Sequence, residues 1–175
     1  MDFLAEEVDP QESPGQALGE RPHFSAFREE SAAVQAFEAI ASRTENEPIF
    51  AALKTFVKNH HLLTLILGNH DIELSLPAVQ EALARKLALP DRHSLRFLAD
   101  GHGYIIGDAL IEHGNRYDPW NMINYDHLRR LCSLRSRRQS VDRELQEFEP
   151  PPGSMLVATV MNKLKPKTPF IDLLH

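Results

Sequence analysis

A short apolar segment that ends in a glycine constrains the fold more than any other feature of this chain. Residues 62–67 (LLTLIL) show no regular polar alternation, which predicts a strand buried on both faces, as in the parallel sheets of α/β proteins. The polar run Gly-Asn-His-Asp follows at residues 68–71. In open α/β sheets, ligands bind at the carboxyl ends of the strands. The sequence therefore predicts an α/β fold with a site at this position.

The segments around this strand predict helices and further short strands. Apolar residues recur at helical spacing in residues 25–42 and again up to residue 59, where Asn46 and Pro48 mark a helix start. Ser75 is predicted to cap a third helix with Pro77 in its first turn. Short strands are predicted at 95–99, 103–106 and 109–112, and a helix from about residue 123. A proline-rich break at 149–153 precedes a short final helix, and residues 9–22 are predicted to form an exposed loop.

Composition limits the classes of protein that the chain can represent. Its 175 residues fit one domain, and 42% hydrophobic with 25% charged residues is normal for a globular protein. A net charge of -6 makes nucleic-acid binding through bulk charge unfavourable. The single cysteine, Cys132, excludes an intrachain disulfide, and the acidic N-terminus does not resemble a signal peptide. Residues 62–67 are too few to span a membrane, so a cytoplasmic protein is expected.

The residues that follow the buried strand have the chemistry of a metal-dependent active site. Gly68 lets the backbone pass close to a metal ion or phosphate, and the amide oxygen of Asn69 is a hard ligand for a divalent cation. The imidazole of His70 can donate a proton to a leaving oxygen, and the carboxylate of Asp71 can orient that imidazole. His113, followed by glycine, ends the last predicted strand and supplies a second histidine at a strand end.

The Gly-Asn-His-Asp motif and the later His-Gly pair resemble those of the calcineurin-like metallophosphoesterases, over about residues 1–121. The resemblance implies an α/β sheet core flanked by helices, with residues 23–60 as a helical insertion in one partial domain covering 1–175. It implies metal-dependent hydrolysis of phosphoric esters, with Asn69 and His113 as ligands of one metal, His70 as the general acid and Asp71 orienting His70. Mn, Mg, Fe or Zn would be the metal, and two ions are expected in an intact family member.

The match to the family is incomplete at both ends of the chain. The family's opening Asp-x-His motif and closing Gly-His-x-His motif are not found, and His102 comes too early in the order to replace a closing histidine. Asp2 matches the last aspartate of the Gly-Asp-x-x-Asp motif, which implies a supporting position behind the metal ligands. Two neutral ligands cannot offset the repulsion between two cations. We therefore expect a truncated chain that holds metal weakly, forms no two-metal centre and has little or no activity alone.

Two other classes of function remain open in the sequence. A non-catalytic binding or scaffold protein could keep the fold without hydrolysing its ligand. A nucleic-acid module could use the basic cluster, although a solvated helix face is the favoured interpretation of that cluster, which consists of Arg129, Arg130, Arg135, Arg137 and Arg138. The leading hypothesis is a truncated hydrolase of this family that acts on a small phosphoester, with Asn115 and Arg116 on the substrate side. The sequence indicates no oligomeric state.

Overall fold

The structure is a computed structural model that describes residues 30–89, 91–137 and 150–161, together with Leu164 and Thr168. Several predictions fall outside these residues. They concern Asp2, the loop at 9–22, the first turn of the helix predicted from residue 25, Arg138, and the first residue of the proline-rich break.

Helices and short strands are mixed along the chain, and helices both precede and follow the strands. The elements are α1 (Glu30–Ala41), α2 (Glu47–Lys58), β1 (Leu63–Ile66), α3 (Pro77–Leu87), β2 (Leu95–Leu98), β3 (Tyr104–Ile106), β4 (Ala109–Ile111), α4 (Tyr125–Ser136) and α5 (Pro152–Leu156). Short 3-10 turns occur at Ile72–Ser75, Arg92–Ser94 and Asn115–Tyr117. The predicted helices and strands that fall in the described residues are confirmed, apart from shifts of a few residues at their ends.

The strands form two small sheets within the described residues. β1 and β2 pair in parallel, with Leu63 opposite Leu95 and Ile66 opposite Leu98, and α3 connects them. β3 and β4 form an antiparallel hairpin that turns at Gly107 and Asp108. The prediction that the first strand is buried on both faces is wrong. All four residues of β1 are half-buried, so neither face is fully covered, and β2 is the one strand that pairs with β1 in the described part of the chain.

One hydrophobic core joins the helices that precede β1 to those that follow it. Phe37 of α1 meets Phe50 of α2 edge to face, with ring centroids 6.2 Å apart, and the amine of Lys86 lies over the Phe50 ring. The core continues through α3 and α4, where Leu83 and Leu128 are buried. The segment expected as a helical insertion therefore packs into the same core as the β1–α3–β2 unit.

The start of α3 differs from the prediction in a way that affects the neighbouring loop. Leu76, not Ser75, is the N-terminal cap residue, with Pro77 in the first turn as expected. The hydroxyl of Ser75 donates instead to the carbonyl of Ile72 at 2.6 Å. Ser75 thus closes the 3-10 turn that leads from the Gly-Asn-His-Asp motif into α3.

In the portion of the chain that the structure describes, no helix combines the length and apolarity needed to cross a membrane.

Candidate functional site

The carboxyl ends of β1 and β2 lie at the same edge of their sheet because the two strands are parallel. The amide of Leu67 donates to the carbonyl of Leu98 at 2.9 Å, so the pairing continues one residue beyond β1. Gly68 then leaves the sheet and begins the polar run. The register brings the start of that run level with the loop that begins at Asp100. The polar groups that follow the two strands therefore lie along the same edge of the sheet.

Gly68 is the point at which His113 enters the site. A β-carbon at position 68 would lie 2.7 Å from Nε2 of His113 and 3.1 Å from Oδ2 of Asp71. Both side chains thus occupy the space that any larger residue would need. Their two atoms lie within about 6 Å of each other, the sum of those distances. The strand-end histidine and the motif that follows β1 come together even though 45 residues separate Gly68 from His113.

His70 and Asp71 lie in the turn that connects Gly68 to α3. The amide of Asp71 donates to the carbonyl of Gly68 at 3.4 Å, and the carbonyl of Asp71 accepts from the amide of Leu74 at 2.9 Å. These bonds hold the motif as a compact turn in which the side chains of His70 and Asp71 are half-buried. The general-acid role of His70 and the orienting role of Asp71 remain predictions.

Asn69 is buried and held at both its side chain and its main chain. Its Nδ2 donates to Oδ1 of Asn121 at 3.0 Å and lies 3.5 Å from Oγ of Ser154. The Ser154 hydroxyl in turn donates to the main-chain carbonyl of Asn69 at 3.1 Å. Since the nitrogen end of the amide is used by these contacts, the oxygen is the end that can serve a cation.

The loop that carries Asn121 is fixed by a carboxylate and by α5. Oδ1 of Asp118 accepts from the amide of Trp120 at 2.9 Å, and Oδ2 accepts from Nδ2 of Asn121 at 2.6 Å. The amide of Gly153 donates to the carbonyl of Trp120 at 2.7 Å. A β-carbon on Gly153 would collide with the Asn121 side-chain oxygen. A glycine is therefore needed where α5 approaches the loop.

Asn115 and Arg116, which we predicted on the substrate side, have different surroundings. Asn115 is buried: its Nδ2 donates to the carbonyl of Asn121 at 3.2 Å and its Oδ1 accepts from the hydroxyl of Tyr125 at 3.0 Å. Arg116 is exposed and lies 3.5 Å from a carboxylate oxygen of Glu112. Asn115 thus supports the loop from within, and Arg116 remains accessible to solvent. Their role on the substrate side remains a prediction.

The loop after β2 carries a second acidic and imidazole pair. Nδ1 of His102 lies 2.8 Å from Oδ2 of Asp100. Burial raises the pKa of Asp100, but the hydrogen bonds and charge of His102 outweigh it and leave the pKa below its usual range. Burial raises the pKa of Tyr125, whose ring packs on Gly101 between these two residues. Tyr125, the first residue of α4, therefore contacts both this loop and Asn115.

Two of the side chains at this edge are of types that can bind a divalent cation. An imidazole nitrogen and an amide oxygen are suitable ligands for Mn²⁺ or a similar ion. The His113 imidazole lies beside Gly68, and Asn69 is the next residue after Gly68 in the chain. Within the ranges that the structure describes, no group of three or more His, Cys, Asp or Glu side chains is arranged to hold a metal. The amide of Asn69 is not of those residue types, so this finding does not include it.

Sequence reasoning missed Asn121 and Ser154. The run from Tyr117 to Asn121 is recognisable as polar and turn-like, but nothing in it indicates a bond to Asn69. Ser154 follows the proline-rich break, and a serine there gives no functional signal. Asn121 lies 52 residues and Ser154 lies 85 residues after Asn69 in the chain. The packing of α5 against the loop that carries Asn121 places Ser154 next to Asn69.

No protein-family model matches the chain, and searches of curated proteins and of solved structures found no match either. What this site can do is therefore inferred from its geometry and its chemistry.

Proposed function

We propose that this chain carries part of a metal-dependent phosphoesterase site of the calcineurin-like type. In this proposal, Asn69 and His113 bind one divalent cation at the carboxyl edge of the β1–β2 sheet. The observation that carries it is the contact of the His113 imidazole with Gly68, the residue before Asn69. If Asn69 and His113 share one cation, the His113 imidazole has to lie near the start of the motif that contains Asn69. The substrate class is a small phosphoric ester.

Each residue of the motif has a separate task in this proposal. Asn69 and His113 hold the cation, and a bound cation would neutralise charge on the phosphoryl oxygens. His70 donates a proton to the departing ester oxygen, and Asp71 keeps the His70 imidazole in one orientation. Arg116 is exposed and follows His113 by three residues after the β3–β4 hairpin, and its guanidinium can attract an anionic substrate. Two neutral ligands imply weak binding of a single ion and low turnover for this chain.

The proposal can be tested by following Mn²⁺ with NMR, since a paramagnetic ion broadens the signals of nearby nuclei even when it binds weakly. We expect MnCl₂ to broaden the side-chain signals of Asn69 and His113 before those of other residues. Asn69→Ala or His113→Ala should weaken binding by about tenfold or more, since each removes a ligand. His70→Ala should leave Mn²⁺ affinity unchanged and abolish any Mn²⁺-dependent hydrolysis of bis(p-nitrophenyl) phosphate.

Two outcomes would contradict the proposal. Broadening that centres elsewhere on the chain would remove the assigned cation site. Equal loss of Mn²⁺ affinity in all three variants would remove the distinction between the proton donor and the ligands. A protein that binds Mn²⁺ and the ester at the site without turning the ester over would favour the non-catalytic binding function.

A further inference from the structure

The side-chain amide of Asn69 has two ends that look alike in shape but differ in chemistry. Only the oxygen can coordinate a cation, whereas the nitrogen carries two hydrogens and repels it. A rotation of the amide by half a turn would exchange the two and remove the ligand. A site that uses an asparagine ligand therefore needs neighbours that select one orientation.

The described contacts select that orientation through a directional series of hydrogen bonds. The ionised carboxylate of Asp118 can only accept, so the nitrogen of Asn121 faces it, at 2.6 Å. The oxygen of Asn121 then faces Asn69 and accepts from its nitrogen at 3.0 Å. The oxygen of Asn69 is consequently the end turned away from Asn121. The charge of Asp118 thus determines the orientation of the Asn69 amide through the amide of Asn121, which lies between them.

Ser154 fixes the main chain of the same residue. Its hydroxyl hydrogen is used in the 3.1 Å bond to the Asn69 carbonyl, so its lone pairs face the Asn69 side chain. The 3.5 Å separation from Nδ2 is long for a hydrogen bond, but it again favours nitrogen at that end. Ser154 is fully buried, and water cannot replace its hydroxyl without rearrangement.

We propose that Asp118, Asn121 and Ser154 are positioning residues that hold the Asn69 amide with its oxygen toward the cation. This inference rests on the proposed function, in which Asn69 is a metal ligand. The three residues do not themselves touch the cation. They act through Asn69, and their loss lowers cation affinity by releasing the orientation of one ligand.

The first test uses the metal-free protein and the side-chain amide signals of Asn69. In the wild type, the contact with Asn121 should slow exchange of these hydrogens with solvent. Asn121→Ala should increase the exchange rate, and Ser154→Ala should do so to a smaller extent. Ser94→Ala is the matched control, since Ser94 is also buried and bonds to Asp91 in the turn before β2. An unchanged exchange rate in Asn121→Ala would overturn the inference.

The second test measures Mn²⁺ affinity in a double-mutant cycle. Asn121→Ala should weaken Mn²⁺ binding by about 10- to 100-fold, the usual effect of removing a group that orients a ligand. In an Asn69→Ala background, the same substitution should have no further effect, because the ligand that it orients is gone. Equal losses in both backgrounds would show a general effect on the fold and overturn the inference. Asp118→Asn, which can present either end of an amide, should give an intermediate loss, and wild-type affinity in this variant would overturn the role of Asp118.

The two proposals can fail separately. If Asn69→Ala binds Mn²⁺ as tightly as the wild type, the cation site is wrong, and the positioning role is wrong with it. If Asn69→Ala loses affinity and Asn121→Ala does not, the cation site stands and only the positioning role is overturned.

Discussion

Replacement of Gly68 by alanine should separate folding from cation binding. The new methyl group would lie 2.7 Å from Nε2 of His113, whereas ordinary contacts of this kind begin at 3.4 Å. The imidazole must therefore retreat by about 0.7 Å, the difference between these distances. Metal–ligand distances tolerate only about 0.2 Å. His113 would no longer be able to share a cation with Asn69.

The fold should tolerate the same change. His113 is exposed, so its side chain can rotate into solvent without leaving a cavity. Oδ2 of Asp71, 3.1 Å from the new methyl group, needs to shift by only a few tenths of an ångström. Alanine also restricts the unfolded chain more than glycine does, which offsets part of any remaining strain. We expect the free energy of unfolding to change by less than about 1 kcal/mol and Mn²⁺ affinity to fall by about tenfold or more.

Denaturant unfolding and NMR titration with MnCl₂ measure these two quantities on the same samples. His113→Ala provides the matched background, because it removes the atom nearest to the new methyl group. In that background Gly68→Ala should cause little further loss of Mn²⁺ affinity. Gly68→Ala with wild-type affinity would refute the steric reasoning, as would a large loss of stability accompanied by unchanged Mn²⁺ binding.

Three further predictions concern the support of the site and the core. Tyr125→Phe should lower the free energy of unfolding by about 1–2 kcal/mol in urea denaturation, since it leaves the buried Oδ1 of Asn115 without its donor. The folded pKa of Asp100 lies below its ordinary value of 3.8 because of its pair with His102. The pair therefore stabilises the fold above pH 3.8, and this contribution to the free energy of unfolding is lost as the pH falls through the folded pKa. Asp100→Asn should remove that part of the acid dependence, and Asp108→Asn, in the exposed hairpin turn, should not. Burial raises the pKa of the Cys132 thiol, so dithionitrobenzoate should react slowly with the native protein and rapidly in guanidinium.

Much of the local structure could be predicted because it depends on local signals. The apolar run before Gly68 specified β1, and Pro48 and Pro77 each lie in the first turn of a helix as expected. The hairpin follows from short apolar segments around a Gly-Asp turn, and Gly107 has the positive φ of 56° that such a turn requires. Each of these signals lies within a few residues of the element that it determines.

The support of the candidate site could not be predicted because it depends on contacts between distant segments. Ser75 has the residue type of a helix cap, but it ends the 3-10 turn after the Gly-Asn-His-Asp motif, where its hydroxyl donates to the carbonyl of Ile72, and Leu76 takes the cap position. Asn115 looks like a residue of the site rim, yet it is buried and bonded to Tyr125 and Asn121. A sequence shows which side chains can form hydrogen bonds, and only packing determines their partners.

The two ligands of the proposed cation site are held by different physical means, and this difference gives a last prediction. His113 is located by the space that Gly68 leaves, whereas Asn69 is oriented by the polarity that starts at Asp118. In the metal-free protein, Gly68→Ala should therefore shift the ring signals of His113 and leave the exchange rate of the Asn69 side-chain amide unchanged. Asn121→Ala should have the reverse effect. If either substitution disturbs both ligands equally, the ligands share one support, and the separate roles argued for Gly68 and Asn121 are wrong.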